Sequence, residues 1–363
     1  MLLSKLKAHL LCWGVRVVAA NLIEAGMHVD KDGNLYINSS HSSDGQSARV
    51  FFNGQEVGPH SEALITLQSN AERLSTLASR MRRASIYGHG NHLMAVAGHT
   101  TGSFRLNSTR IFDGQGWQAA PAMPDARTDA CVAVHAGEVY VAGGRFGGIM
   151  NDVQSFNGLS WVTRPALPDP RHKAACVFFR GELVLTGGSD GATRAHVFAL
   201  RNGAWATLPA MPLARSDHAA VVYQDELHVL AGTTSSTTSV ITSVVIFNGT
   251  TWRQGRSTIW PRRAVAAAVF NNRIYLGGGA VSGSVVRHDM AYFNGTTWSV
   301  SAAWPQALAS AGMVQFQGQL WLLGGTNFTH VSARTYVLSP DQTTWIPSVD
   351  LPEPRCAAGF LVY

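Results

Sequence analysis

Short apolar runs, each closed by a pair of small residues, alternate along this chain with polar loops rich in Gly, Asn, Ser and Thr. The small pairs Ala97-Gly98, Gly143-Gly144, Gly187-Gly188, Ala231-Gly232, Gly277-Gly278 and Gly324-Gly325 return every 44 to 47 residues, with a degenerate counterpart near Asn38-Ser39. An interval of that size marks a solenoid, a propeller or an array, and it governs how every local motif is read.

Residues 171–215 carry the clearest unit. Arg171 opens the run from Ala174 to Phe179, which reads as a strand buried on both faces. The chain turns at Gly181-Glu182 into Leu183-Val184-Leu185 and ends at Gly187-Gly188. A polar loop leads to a third strand from His196 to Leu200, and Asn202-Gly203 supplies a two-residue hairpin because both residues accept positive φ. A fourth strand carries Trp205 and runs out at Leu208-Pro209, before Arg215 opens the next unit. Four short antiparallel strands per unit predict one propeller blade.

The other units repeat these landmarks. Turns recur at Phe52-Asn53-Gly54, Phe112-Asp113-Gly114, Phe156-Asn157-Gly158, Phe247-Asn248-Gly249 and Phe293-Asn294-Gly295. Trp117, Trp161, Trp205, Trp252, Trp298 and Trp345 follow the turns by three or four residues. A buried indole removes roughly 150–250 Å² from water, up to ~4–6 kcal/mol at ~25 cal/mol/Å², so one Trp per blade predicts a structural wedge between neighbouring sheets.

An apolar strand ending in Gly-Gly, an aromatic before a turn, a Trp four residues on and then Pro-x-Arg together resemble the kelch repeat. The likeness covers about residues 27–363. It departs at Val57, where Trp is expected, at Leu308, where Arg is expected, and at the two Ala-Gly pairs. The resemblance implies an all-β fold, a β-propeller with four-stranded antiparallel blades around a channel. Residues 354–363 match a first strand with no second strand after it, whereas the N-terminal unit offers a second strand (34–37) and a third (48–52) but no first. The expectation is therefore a seven-bladed propeller whose ring is closed by the C-terminal strand, with six blades plus an N-terminal extension as the alternative. Residues 1–26 read as that extension, either a docked helix or a targeting segment, and apolar spacing through Leu64, Leu67, Ala71, Leu74 and Leu77 predicts a helical insertion at about 58–75.

Composition narrows the function. Hydrophobic residues make up 46% of the chain and charged residues 14%, enough for a large core. A formal charge of +6 leans towards anionic partners, but without Lys/Arg-dense runs no nucleic acid is expected. Arg16 interrupts the first apolar stretch, so no membrane span is expected. The four cysteines show no metal spacing and read as buried free thiols, which favours a cytoplasmic, reducing location; a targeting segment at 1–20 would make it mitochondrial or secreted.

In an up-and-down blade the loop between strands two and three leaves on the same face as the connection to the next blade. The Arg opening each first strand therefore belongs to that face: Arg83, Arg127, Arg171, Arg215, Arg263 and Arg355. The loops add Arg105, Arg145, Arg194 and Arg287, and the Ser/Thr-rich stretch 233–239. Arg suits bidentate recognition of carboxylate or phosphate. In kelch proteins that recognise partners this face is commonly the binding surface, which implies capture of another protein through an acidic or phosphorylated segment by a monomeric, non-enzymatic scaffold. The competing reading is that these Arg brace the carbonyl-rich channel entrance or pair with Asp125, Asp169, Asp217 and Glu353.

Catalytic constellations are absent or unconvincing: there is no phosphate loop and no HExxH, and nothing reads as a nucleophile elbow on a strand-to-helix turn. No cofactor is expected, and no metal at His89, His92 and His99, which a strand would separate. The resemblance nonetheless implies one enzymatic alternative, a small-molecule enzyme of sialic-acid mutarotase type working through polar residues in the mouth.

Overall fold

The computed structural model describes residues 92–363 apart from 136, 236–238 and 282–283, together with four short strands nearer the N-terminus. The chain divides into two compact units, Met1–Ile86 and Tyr87–Tyr363. In the first, Met27–Val29 pairs antiparallel with Leu35–Ile37, and Val50–Phe52 with Gln55–Val57. The expected helical insertion, the extension 1–26, Arg83, His89 and Cys12 lie outside the described residues.

The second unit consists of six four-stranded antiparallel sheets. Blade 2 runs Cys131–His135, Glu138–Ala142, Val153–Phe156 and Trp161–Arg164 from inside outwards. Blade 3 follows with Ala175–Phe179, Glu182–Thr186, Val197–Arg201 and Ala204–Leu208, and blade 4 with Ala219–Tyr223, Glu226–Leu230, Val244–Phe247 and Trp252–Gln254. Blade 5 holds Ala266–Phe270, Arg273–Gly277, Met290–Phe293 and Trp298–Ser301; blade 6 holds Gly312–Phe316, Gln319–Leu323, Thr335–Leu338 and Trp345–Pro347. Second strands are buried over four successive residues in each of these blades, because neighbouring blades cover both faces. That double cover is why they read in sequence as unbroken apolar runs.

Blade 1 is built from both ends of the unit. Leu93–Val96, Thr109–Phe112 and Trp117–Ala120 are its outer three strands, and Gly359–Val362 is its innermost. The pairing runs Gly359 to Val96 through Val362 to Leu93. The expectation that the C-terminal strand closes the ring holds, but its partner is not the strand at 34–37, and the described residues form six blades rather than seven. Two facts explain the miscount. The strand at 35–37 already has a partner in Met27–Val29, whose short Met-His-Val run gave no sequence signal. The repeat opened by Arg83 was credited with a first strand of its own, and Gly359–Val362 holds that place.

Two closed cycles of hydrogen bonds tie the blades together. On the outside, each Trp Nε1–H donates to a carbonyl at the end of the preceding blade: Trp161 to Pro121, Trp205 to Pro165, Trp252 to Pro209, Trp298 to Arg256, Trp345 to Ala302, and Trp117 of blade 1 to Val349 of blade 6. The Trp set is structural, as its spacing predicts. On the inside, one residue per blade takes left-handed φ of 48–56°: Asp129, Lys173, Asp217, Ala264, Ser310 and Ala357. Each N–H donates to the carbonyl of its counterpart next door, Asp129 to Ala357, Ala357 to Ser310, Ser310 to Ala264, Ala264 to Asp217, Asp217 to Lys173 and Lys173 to Asp129, at 2.7–3.1 Å. Left-handed backbone is costly for residues with a Cβ, on the order of 1 kcal/mol each, and these ring bonds offset it.

The same backbone explains the small pairs. With the blade 5 pair corrected to Gly278-Gly279, the first member has φ of 55–62°, which Ala97 and Ala231 adopt. The second member has φ of 86–100° and is Gly in every blade. A Cβ on Gly144 would also stand 2.9 Å from the Thr128 carbonyl.

One expectation about cysteine is overturned. Cys131 and Cys176, on the innermost strands of blades 2 and 3, form a disulfide with Cα atoms 5.3 Å apart, inside the usual bridging range. They sit four and five residues past their repeat Arg, so they are not equivalent positions, and the sequence reading kept them apart. Inner strands of adjacent blades pack side by side, which lets such offset positions meet. Cys356 is free and buried.

Candidate interaction face

The connection entering each blade runs beside the loop between its second and third strands, as the topology predicts. Thr128 bridges Arg145, His172 bridges Ser189, Ser216 bridges Thr233, Arg263 bridges Ala280, Ala309 bridges Thr326, and Cys356 bridges His99. This arrangement gathers the predicted arginines on one face but gives them different fates.

The repeat arginines are interior braces. Arg127, Arg171, Arg215 and Arg355 are 0–1% exposed. Arg127 donates to the Gly143 carbonyl at 3.0 Å, Arg215 to those of Ala231 and Ser243 at 3.1 and 2.9 Å, and Arg355 to those of Ala97 and Ser108 at 3.3 and 3.4 Å. Arg171 instead pairs with Asp169 at 3.1 Å and lies over the Phe198 ring. Arg127 is also near Asp125 and ion-paired with Asp152, and Arg355 is paired with Glu353. Burial pushes the Arg215 guanidinium down to about 10, still far above neutrality. The bracing alternative therefore describes these four side chains, and their guanidiniums do not line an open surface.

In blade 5 the register moves by one residue. Arg262, 1% exposed, is the brace, donating to the carbonyls of Gly278 at 2.7 Å and Asp289 at 3.0 Å. Arg263 is instead the equivalent of Thr128 and His172, and stands 3.7 Å from Asp217. Tandem residues caused the slip: two Arg in succession and three Gly in succession, of which Gly278 and Gly279 carry the positive φ. In blade 6 Leu308 takes the brace position and is buried. A cleft of about 430 Å³ opens beside it, lined by Gln306, Leu308, Asn327, His330, Val331 and neighbours.

The loop arginines divide into two kinds. Arg194 is paired with Asp190 at 2.8 Å and Arg287 with Asp289 at 2.8 Å, each inside its own blade. The hydroxyls of Thr233 and Ser235 are likewise turned inward onto Ser239. Arg105 and Arg145 make no side-chain hydrogen bond or ion pair with any described residue; Arg145 is exposed, and the Arg105 Nε is shut off from solvent without an acceptor.

Sequence reasoning missed what stands at the axis. The left-handed residues place charge on one half of the inner cycle, Asp129, Lys173 and Asp217, and small side chains on the other, Ala264, Ser310 and Ala357. Lys173 pairs with Asp217 at 3.1 Å. Asp129 takes no hydrogen bond on its carboxylate from a described side chain, and loss of solvation pushes its carboxyl up to about 6, with the Asp217 charge adding to the rise and Lys173, Arg145 and Arg105 opposing it. Behind it, His99 touches Thr128 Oγ1 at 2.9 Å through Nδ1 and Cys356 Sγ at 3.2 Å through Nε2. Burial holds the His99 imidazole below its ordinary range and pushes the Cys356 thiol up to about 12, so neither carries charge at pH 7. The signal for this cluster was the second residue after each repeat brace, charged in blades 2, 3 and 4.

Among the described residues no group of three or more His, Cys, Asp or Glu is arranged to hold a metal ion, and no helix is long and apolar enough to cross a membrane.

Comparison with known proteins bears on the fold. No curated protein matches the sequence. The solved structure titled "Structure of YjhT" superposes with a TM-score of 0.57 at 16% identity, over 64% of this chain and 87% of that one. A family profile described as the kelch motif matches residues 126–165, which span blade 2 from its brace, Arg127, to the end of its fourth strand. With that motif in one blade and its landmarks repeated round a closed cycle of four-stranded sheets, residues 92–363 are a kelch-repeat β-propeller.

Proposed function

We propose that the propeller is a binding module that captures an acidic segment of another protein on the loop face of blades 1 and 2, without chemistry of its own. The observation that carries this reading is the contrast between loop arginines. Arg194 and Arg287 are ion-paired within their own blades, Arg287 sharing Asp289 with Arg262, whereas Arg105 and Arg145 form no ion pair with a described residue and have only the Asp129 carboxyl at longer range. Cations left unpaired in a concave, partly desolvated mouth attract carboxylates more strongly than exposed pairs do. The double variant R105A/R145A is expected to weaken capture of a fluorescein-labelled poly-glutamate peptide at least tenfold while the cooperative thermal transition is retained, because Arg145 is exposed and half-buried Arg105 makes no side-chain hydrogen bond with a described residue that its loss would break. Wild-type binding should also weaken between 50 and 300 mM salt. Equal anisotropy titrations for wild type and variant would remove the two arginines from the site.

A second reading, a small-molecule enzyme acting on a sugar, is favoured by Asp129. Anomer interconversion needs a proton taken from the anomeric hydroxyl and one returned to the ring oxygen. A carboxyl pushed up to about 6, at the axis and free of side-chain partners, is suited to take the first. Anomer exchange followed by NMR should then rise as pH increases through about 6, where Asp129 ionises, and vanish in Asp129→Asn. Rates equal to buffer alone across pH 5–8, over a panel of free sugars and sugar acids, would dispose of it.

A further inference from the structure

The exposed phenyl rings of the loop face stand next to the unpaired arginines, whereas exposed aliphatic side chains (Leu213, Ile259, Val285 and Val349) are spread over its other connections and loops. Phe104 is 72% exposed and adjoins Arg105; Phe146 is 55% exposed and adjoins Arg145; Phe328 is 41% exposed. These residues belong to blades 1, 2 and 6, which are consecutive round the ring because Gly359–Val362 joins blade 6 to blade 1. Their display is built rather than incidental. Arg145 and Phe146 stand on a two-stranded hairpin with Gly148–Ile149, Phe104 follows a single 3₁₀ turn at Thr101–Ser103, and the Phe328 ring carries Arg263 at 5.6 Å. The cleft beside Leu308 adjoins Phe328 through Asn327 and His330. The corresponding loops of blades 3 and 4 show no exposed large apolar side chain among the described residues, and blade 5 shows only Val285.

We infer that the arc formed by blades 6, 1 and 2 recognises an acidic segment that carries a large apolar side chain within a few residues of its carboxylates. This rests on the binding reading above and adds the apolar requirement. Charge complementarity selects this occupant: two guanidiniums without an ion pair among the described residues each adjoin an exposed phenyl ring in sequence, and aromatic and Arg side chains dominate interface energetics. The carboxylates take Arg105 and Arg145, while the apolar group covers the phenyl rings or enters the cleft beside Leu308. An acidic segment without such a group would leave three phenyl rings in water, and an apolar one without carboxylates would leave the guanidiniums unpaired.

Selection of a phage-displayed library of random twelve-residue peptides on the full chain tests this. The expected winners combine at least two acidic residues with an aromatic or large aliphatic residue within four positions. Synthetic winners should lose affinity at least tenfold in the F104A/F146A variant, and also when their apolar residue is replaced by serine, with Tm unaltered because both rings are exposed. Winners that are acidic but indifferent to F104A/F146A would overturn the apolar requirement and leave the acidic-segment reading standing. Winners insensitive to R105A/R145A, or no winners at all, would overturn both.

Discussion

Arg215→Ala is expected to destabilise the propeller by about 3–5 kcal/mol, the loss typical of removing one partner from a buried charged network. For a body of this size that corresponds to a fall in Tm of about 6–20 °C. The Arg215 guanidinium is wholly buried and holds the Ala231 and Ser243 carbonyls together with Ser243 Oγ at 3.2 Å, so it fastens the start of one blade's inner strand to the end of its second and the start of its third. The substitution leaves the Ala231 carbonyl without its donor, strips the Ser243 carbonyl of its second donor beside the Ala231 N–H, and opens a cavity the width of a guanidinium. Arg215→Lys should recover only part of the loss, since a single ammonium cannot reproduce the fork. Arg145→Ala, on the exposed loop, is the control and should stay within about 0.5 kcal/mol. Chemical denaturation of all three variants decides the matter, and a wild-type midpoint for Arg215→Ala would show that the buried guanidinium holds nothing.

Removal of the last eight residues is expected to have the largest effect of all. Cys356 and Tyr363 are 0% and 2% exposed, Leu361 is buried, and Phe360 packs into the core between blades 6 and 1. The deletion strips the inner strand from blade 1, breaks the inner cycle at Ala357 and exposes the edge of Leu93–Val96. An unpaired apolar edge is a template for association between chains. The truncated protein should lose its cooperative thermal transition and elute as aggregate in size-exclusion chromatography. A monomer with a sharp transition would mean that the six blades hold together without the closing strand.

Blade architecture was legible because its causes are local. Turn chemistry at Asn202-Gly203, the Trp following it and the glycine that φ near 100° requires all lie within one repeat. The blade count was not, because it depends on which strand pairs with 359–362 across the whole unit, and a four-residue apolar strand fits more than one open edge. The loops and blade connections lie together as topology implied, yet the residues picked on them divided. A repeating Arg is the signature of a shared structural duty, which is why Arg127, Arg171, Arg215 and Arg355 are buried. Non-repeating Arg105 and Arg145 escaped emphasis although they are the ones left without an ion pair among the described residues. Asp129 was overlooked because its identity varies from blade to blade while its backbone conformation does not, and φ is invisible in sequence.

The origin of the inner strand of blade 1 bears on biosynthesis. Leu93–Val96 is made some 260 residues before its partner Gly359–Val362, so at 5–20 residues per second the nascent chain waits roughly 10–50 s with an unsatisfied apolar border. Throughout that delay blades 2 to 6 can stack as an open crescent whose two ends are both adhesive. The outcome on the ribosome is then a race between closure and capture by a neighbouring chain, which chaperone availability and the rate of translating the last blade would decide.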